Sequence, residues 1–142
     1  MYKKILLPID LAHESSWSTA APVASMLAKA GNGELHVLTV IPDLGLSIVG
    51  SYLPEGFEEK AVQDAEARLK SFLEAHAPAG VSVKGHVVRG TIYQEILHAA
   101  DTLGCDLIVM ASHRPELQDY LIGPNASQVV RHARQSVHIV RG

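Results

Sequence analysis

Five short apolar runs punctuate the chain, at residues 5–9, 35–41, 81–88, 107–111 and 137–140. Three contain nearly unbroken stretches: Ile5-Leu6-Leu7, Val37-Leu38-Thr39-Val40-Ile41 and Leu107-Ile108-Val109-Met110. A strand with one wet face alternates apolar and polar residues. A continuous branched-aliphatic run suits a strand covered on both faces, as in a parallel sheet. The run at 81–88 does alternate, through Val81, Val83 and Val87, and carries Lys84 and His86. It reads as an edge strand.

Helical patterns fill the gaps. Val62, Ala65, Leu69, Phe72, Leu73 and His76 recur at helical spacing, with Glu59, Lys60, Asp64, Glu66, Arg68 and Lys70 largely opposite. Thr91 with Gln94 predicts a capping box ahead of Ile92, Ile96, Leu97, Ala100 and Leu103, and Gly104 predicts the stop. Asn125 with Gln128 repeats the capping arrangement ahead of Val129, Val130 and Ala133. Trp17, Ala20, Ala21, Ala24, Leu27 and Ala28 give a further helix that Gly31 closes. Pro22 costs about 3 kcal/mol in a helix interior. The helix therefore either starts near Ser18, with Pro22 in its first turn, or starts near Ser15 and distorts at Pro22. We take the second as the expectation.

The order is β-α-β-α-β-α-β-α-β. This predicts an α/β fold, a single open doubly wound five-stranded parallel sheet with helices on both faces. The length of 142 residues suits one domain, spanning 1–142. Hydrophobic residues are 47% and aromatics 5%, so the core is aliphatic and the chain is not a disordered one. Twelve Lys+Arg against fifteen Asp+Glu argue against nucleic acid as a partner. No apolar stretch reaches the ~20 residues of a membrane span. The apolar run after Lys3-Lys4 ends at Pro8 and Asp10, too short for a signal peptide. A lone Cys105 reads as a buried structural thiol. The expected address is the cytoplasm. Residues 42–57 are too apolar for a solvated linker and suit either a lid or contact surface, or a loop folded onto its own core.

Open α/β sheets bind ligands at the carboxyl ends of their strands, where strand order reverses. Periodicity leaves open which two ends flank that reversal. The richest end is Ala111-Ser112-His113-Arg114, followed by the turn Gly123-Pro124-Asn125-Ala126 into a helix. Free N–H groups at a helix start, together with an Arg fork, attract phosphate. An ordinary capped helix is the commoner outcome of the same spacing. P-loop, dinucleotide-binding and nucleophile-elbow motifs are missing. The eight His have no metal-ligand spacing, so no metal site is expected. Asp10 and Asp106 should lie at opposite ends of the sheet, which disfavours paired acid–base chemistry. His132 and His138 read as surface or interface residues. No catalytic residue is assigned.

Three segments together resemble the universal stress protein family. They are Tyr2-Lys3-Lys4-Ile5-Leu6-Leu7-Pro8-Ile9-Asp10, Glu34-Leu35-His36-Val37-Leu38-Thr39-Val40-Ile41-Pro42, and the block 107–140. The similarity is nearest to a branch carrying A-S-H-R-P, then G-x-N-A, then V-V-R-H-A, here at 111–115, 123–126 and 129–133. It implies strand order 3-2-1-4-5, with the reversal between the first and fourth strands. It also implies ATP in that crevice. Asp10 would hold the ribose hydroxyls, and the backbone around Val40 with Pro8 and Ile9 would frame the adenine. Ala111, Ser112, His113, Arg114, Gly123, Pro124, Asn125 and Ala126 would surround the phosphates, which would themselves hold any Mg²⁺.

Two departures from the family's ATP motif stand out. Ala111 and Arg114 replace two glycines, and Pro124 replaces a Ser or Thr. Pro124 removes an N–H and a hydroxyl, a loss of about 1–3 kcal/mol if both contacts were charge-assisted. The run 137–140 reads as an apolar edge that invites pairing. The resemblance implies an antiparallel homodimer through Val137, His138, Ile139 and Val140, with tetramers open to the near branch. The implied function is that of a cytoplasmic ATP-binding regulatory protein of the stress response with little or no hydrolysis. Only His113 or His13 is available to orient a water. The alternatives are a weak ATPase, or an interaction module without nucleotide that acts through its loop and dimer surface. An adenylyl transferase or ATP pyrophosphatase would need an H-x-G-H or S-G-G-x-D-S signature, which is missing.

Overall fold

The five apolar runs become five parallel strands of one sheet. A computed structural model describes residues 1–42, 56–112 and 123–141. The strands are β1 (Lys4–Ile9), β2 (Glu34–Pro42), β3 (Ser82–Gly90), β4 (Leu107–Ser112) and β5 (Ser136–Arg141). Their order is β3-β2-β1-β4-β5, so the reversal falls between β1 and β4. The helices are α1 (Ala20–Gly31), α2 (Phe57–His76), α3 (Ile92–Leu103) and α4 (Gly123–His132), with a 3₁₀ turn at Glu14–Ser16. The expected lid or contact role for 42–57 falls on residues 43–55, which lie outside the described residues.

Alternation along the strands divides the core into two layers. Ile5, Leu7, Leu35, Val37, Leu107 and Val109 face Ala20, Ala24 and Ala28 of α1 and Leu69 of α2. Leu6, Leu38, Ile108 and Met110 face Ile96, Ala99 and Ala100 of α3 and Ala126 and Val129 of α4. Both faces are therefore dry over β1, β2 and β4, which is why their sequences do not alternate. β3 and β5 are the edges, and their residues are exposed or half-buried. Small residues let the helices close on the sheet. Gly85 shows this most directly, because a Cβ there would stand 2.9 Å from side-chain atoms of both Leu69 and Leu73.

Four local expectations need correction. α1 starts at Ala20, not near Ser15, and Pro22 is its third residue. The first four N–H groups of a helix have no partner within it, so Pro22 forfeits nothing and no distortion is needed. The left-handed residue after α1 is Asn32, at φ 50°, while Gly31 stays helical. Thr91 does cap α3 by position, but its side chain makes no capping hydrogen bond. Asn125 does not cap its own helix, since α4 already begins at Gly123. Its Oδ1 instead accepts the Tyr93 N–H at 3.1 Å, satisfying an orphan donor at the start of α3. Gly104 ends α3 in the left-handed region, at φ 71°, as its position predicts.

Candidate functional site: the crevice at the carboxyl ends of β1 and β4

Backbone direction explains why the sheet opens here. Glu34 N–H donates to Lys3 O, and Asp106 N–H donates to Lys4 O, each at 2.9 Å. Odd residues of β1 therefore turn their backbone groups to β2 and even residues turn theirs to β4. Pro8 is even and has no N–H to offer β4. Pairing of β1 with β4 runs through Ile5–Leu107 and Leu6–Ile108, whereas pairing with β2 continues to Ile9–Thr39. A proline in a central strand is tolerated because it stands where the ladder has already parted.

The chain leaving β1 closes on itself around Ser16, which is 1% exposed. Ser16 Oγ accepts the Asp10 N–H at 2.8 Å and lies 2.9 Å from Asp10 O and 2.7 Å from His13 O. His13 N–H returns to Asp10 O at 3.0 Å, and Ser16 N–H to His13 O at 3.1 Å. These bonds aim the Asp10 side chain, which is 18% exposed. Its Oδ1 accepts the Ala12 N–H at 2.9 Å and its Oδ2 meets His13 Nδ1 at 2.8 Å. The carboxylate only accepts, so Nδ1 is assigned the proton.

Four expected residues share one cleft: Pro8, Ile9, Asp10 and Val40. Pro42, Ile92 and Ile96 complete its described walls, which enclose about 40 Å³. Ligand pockets typically measure roughly 300–1,000 Å³, so these residues form one wall of a crevice and not a whole pocket. Thr39, itself buried, donates its hydroxyl to Ile9 O at 3.1 Å and locks β2 to β1 beside the cleft. Ala111, buried, and Ser112, half-buried, end β4 across the parted ladder. Gly123 opens α4, Pro124 is exposed in its first turn, and Ala126 is packed into the core under α3. Asn125 has its side chain on the start of α3. His113 and Arg114 lie outside the described residues.

Asp106, Cys105 and the His36–His86–Glu34 group sit away from the crevice. Asp106 takes the Lys3 and Lys4 N–H groups at 2.9 and 3.1 Å, so it clasps the opposite end of β1. Asp10 and Asp106 are thus separated by the length of the strand, as expected. Burial, then the neighbouring Asp106, pushes the Cys105 thiol up to about 11, which makes it an unreactive core thiol. His36 Nδ1 lies 2.9 Å from His86 Nε2, and its Nε2 lies 3.1 Å from Glu34 Oε1. Burial, then His36 and Lys84, holds His86 below its ordinary value, while the His36 hydrogen bond lowers Glu34. Among the described residues no group of three His, Cys, Asp or Glu is placed to hold a metal ion. Nor is any described helix long and apolar enough to cross a membrane.

The family model for universal stress proteins matches residues 1–141. The chain belongs to the universal stress protein family. Universal stress protein G of Shigella flexneri is 32% identical over 143 aligned residues, covering 99% of this chain and 100% of that protein. Universal stress protein MJ0577 of Methanocaldococcus jannaschii has a solved structure that superposes with a TM-score of 0.73 at 27% identity. That superposition covers 100% of this chain and 97% of the other. A universal stress protein in complex with cAMP shares the fold, with a TM-score of 0.59 at 22% identity over 99% of this chain and 97% of that one.

Within this universal stress protein fold, spacing missed three contributors to the crevice. Ile92 and Ile96 read as plain core residues of α3, because helical periodicity does not show which end of a helix overhangs a cleft. Ser16 carried no periodic signal. His13 reads from the sequence only as a group to orient water; the signal available was Asp10, a residue type that starts turns by bonding the backbone two residues on, as it does with the Ala12 N–H.

Proposed function

We propose that this protein is an ATP-binding regulatory protein of the stress response, a single nucleotide-binding domain in the cytoplasm with little or no hydrolysis. The observation that carries this reading is the Asp10 carboxylate, held by its own loop at the parted ladder. Among the described residues two of its four lone-pair sites are engaged, which leaves one on each oxygen for ribose hydroxyls. Pro8, Ile9 and Val40 beside it offer an apolar wall for adenine. Ala111, Ser112, His113, Arg114, Gly123, Pro124, Asn125 and Ala126 are the proposed phosphate neighbourhood. Arg114 would supply charge in place of the close backbone approach that the family's glycines allow. Magnesium, when present, is held by the phosphates. The cAMP complex of a structural neighbour supports adenine nucleotides as the ligand class.

The proposed assembly is a homodimer through β5, antiparallel, using Val137, His138, Ile139 and Val140. These residues lie on an edge strand, with His138 exposed and Val137, Ile139 and Val140 half-buried, and an edge strand offers unpaired backbone groups to a partner. Sedimentation giving only monomer at micromolar concentration excludes it.

A second reading has one observation in its favour. Pro124, in the first turn of α4, lacks an N–H, so one proposed phosphate donor is missing. This reading makes the protein an interaction module without nucleotide. Calorimetric titration with ATP separates the two. The nucleotide reading expects heat that falls at least tenfold in affinity in Asp10→Ala and in Arg114→Ala, the size of one lost charge-assisted bond of about 1.5–3 kcal/mol. Absence of heat favours the module. Steady phosphate release above about 1 s⁻¹ contradicts the regulatory assignment.

A further inference from the structure

We infer that His13 is a positioning residue that fixes the Asp10 carboxylate to receive both hydroxyls of a ribose. The crevice thereby prefers ribonucleotides to 2′-deoxyribonucleotides. This inference rests on the nucleotide reading above and adds the sugar to it.

The geometry is a matter of counting acceptors. An ionised carboxylate offers about four lone-pair sites, two on each oxygen. In Asp10 one site on Oδ1 is taken by the Ala12 N–H at 2.9 Å, and one on Oδ2 by His13 Nδ1 at 2.8 Å. Among the described residues nothing else meets the carboxylate, which leaves one site on each oxygen. A cis-diol presents two adjacent O–H donors and meets both. A 2′-deoxy sugar presents one, and the other acceptor stays unpaired in a position only 18% exposed. A site built to bond a hydroxyl discriminates against the analogue that lacks it.

His13 is what keeps both oxygens in place. The terminal torsion of an aspartate is broad, and one anchored oxygen leaves the carboxylate free to rotate. Among the described residues the second anchor is the His13 ring. The loop backbone is held separately, by Ser16 Oγ on the Asp10 N–H and by the His13 N–H on Asp10 O. Truncating His13 therefore removes the anchor and leaves the loop bonds. Its side chain is 38% exposed, so truncation opens no core cavity. Asn at this position returns an N–H donor close to where Nδ1 sits.

The test is calorimetric titration of the full chain with ATP and with 2′-deoxy-ATP, in the unsubstituted protein, His13→Ala and His13→Asn. The unsubstituted protein should prefer ATP by about tenfold, the worth of one hydrogen bond to a charged group. His13→Ala should bring that ratio to within about twofold of unity, chiefly by weakening ATP, and His13→Asn should restore most of it. A ratio that His13→Ala leaves unchanged, or that His13→Asn fails to restore, overturns the inference while the nucleotide reading stands. Heat with neither nucleotide in the unsubstituted protein overturns both. Should His13→Ala not fold, imidazole ¹⁵N spectra of the unsubstituted protein decide. ATP must shift the His13 Nδ1 resonance more than 2′-deoxy-ATP does, and equal shifts refute the role.

Discussion

Replacing Ser16 with alanine tests how the crevice is built. The hydroxyl is 1% exposed and accepts the Asp10 N–H at 2.8 Å. It also stands within 2.9 Å of Asp10 O and 2.7 Å of His13 O, and its single hydrogen serves one of these at a time. Both carbonyls keep a second partner in Ser16→Ala. Asp10 O still receives the His13 N–H, and His13 O the Ser16 N–H. The group left stranded is the Asp10 N–H. A buried unpaired donor costs about 1–3 kcal/mol. For a chain of this size that is a fall in Tm of about 2–10 °C. Urea unfolding gives the same quantity at fixed temperature, and an unchanged slope against urea shows that the unfolded state is not involved. Ser18→Ala, at an exposed position before α1, is the control and should stay within about 0.5 kcal/mol. If Ser16→Ala matches that control, the loop is not held by its hydroxyl, and the preorganisation of Asp10 has no basis.

Other perturbations follow from the same structure. Cys105, buried and pushed up to about 11, should resist thiol reagents at about pH 8 until urea opens the core. Rapid stoichiometric labelling of the native protein refutes its placement. His86 is held below its ordinary value of 6.5, so the unfolded chain takes up that proton first as the pH falls. Its contribution to stability is full above 6.5 and declines as the pH drops from there through the lowered folded value. Urea midpoints should therefore fall between about pH 7.5 and pH 5.5, and His86→Gln should flatten that slope. A slope identical in the variant contradicts the assigned cause.

The strands were legible in the sequence because the two helical layers dry both faces of β1, β2 and β4. That leaves unbroken runs such as Leu107 to Met110. The edge position of β3 was legible for the converse reason, in Lys84 and His86 between valines. Local rules failed where a distant segment supplied the partner. The N–H of Tyr93 is satisfied by Asn125, 32 residues away, so neither capping pattern formed as spacing predicts. Pro22 looks interior to a helix because a 3₁₀ turn, invisible to periodicity, precedes α1 and delays its start. Which strand ends flank the reversal depends on β4 pairing with β1, a contact across about a hundred residues. Only the family resemblance carried that information. The same reversal explains Pro8, which looks misplaced in a central strand until the backbone direction of even residues is followed to β4.

A crystal structure grown with ATP tests the central claim most directly. The ribose hydroxyls should lie within hydrogen-bonding distance of Asp10 Oδ1 and Oδ2. The adenine should rest between Pro8 and Val40, and the phosphates should run toward Ser112 and the start of α4. Nucleotide bound elsewhere, or a crevice without density at a saturating concentration, contradicts the claim.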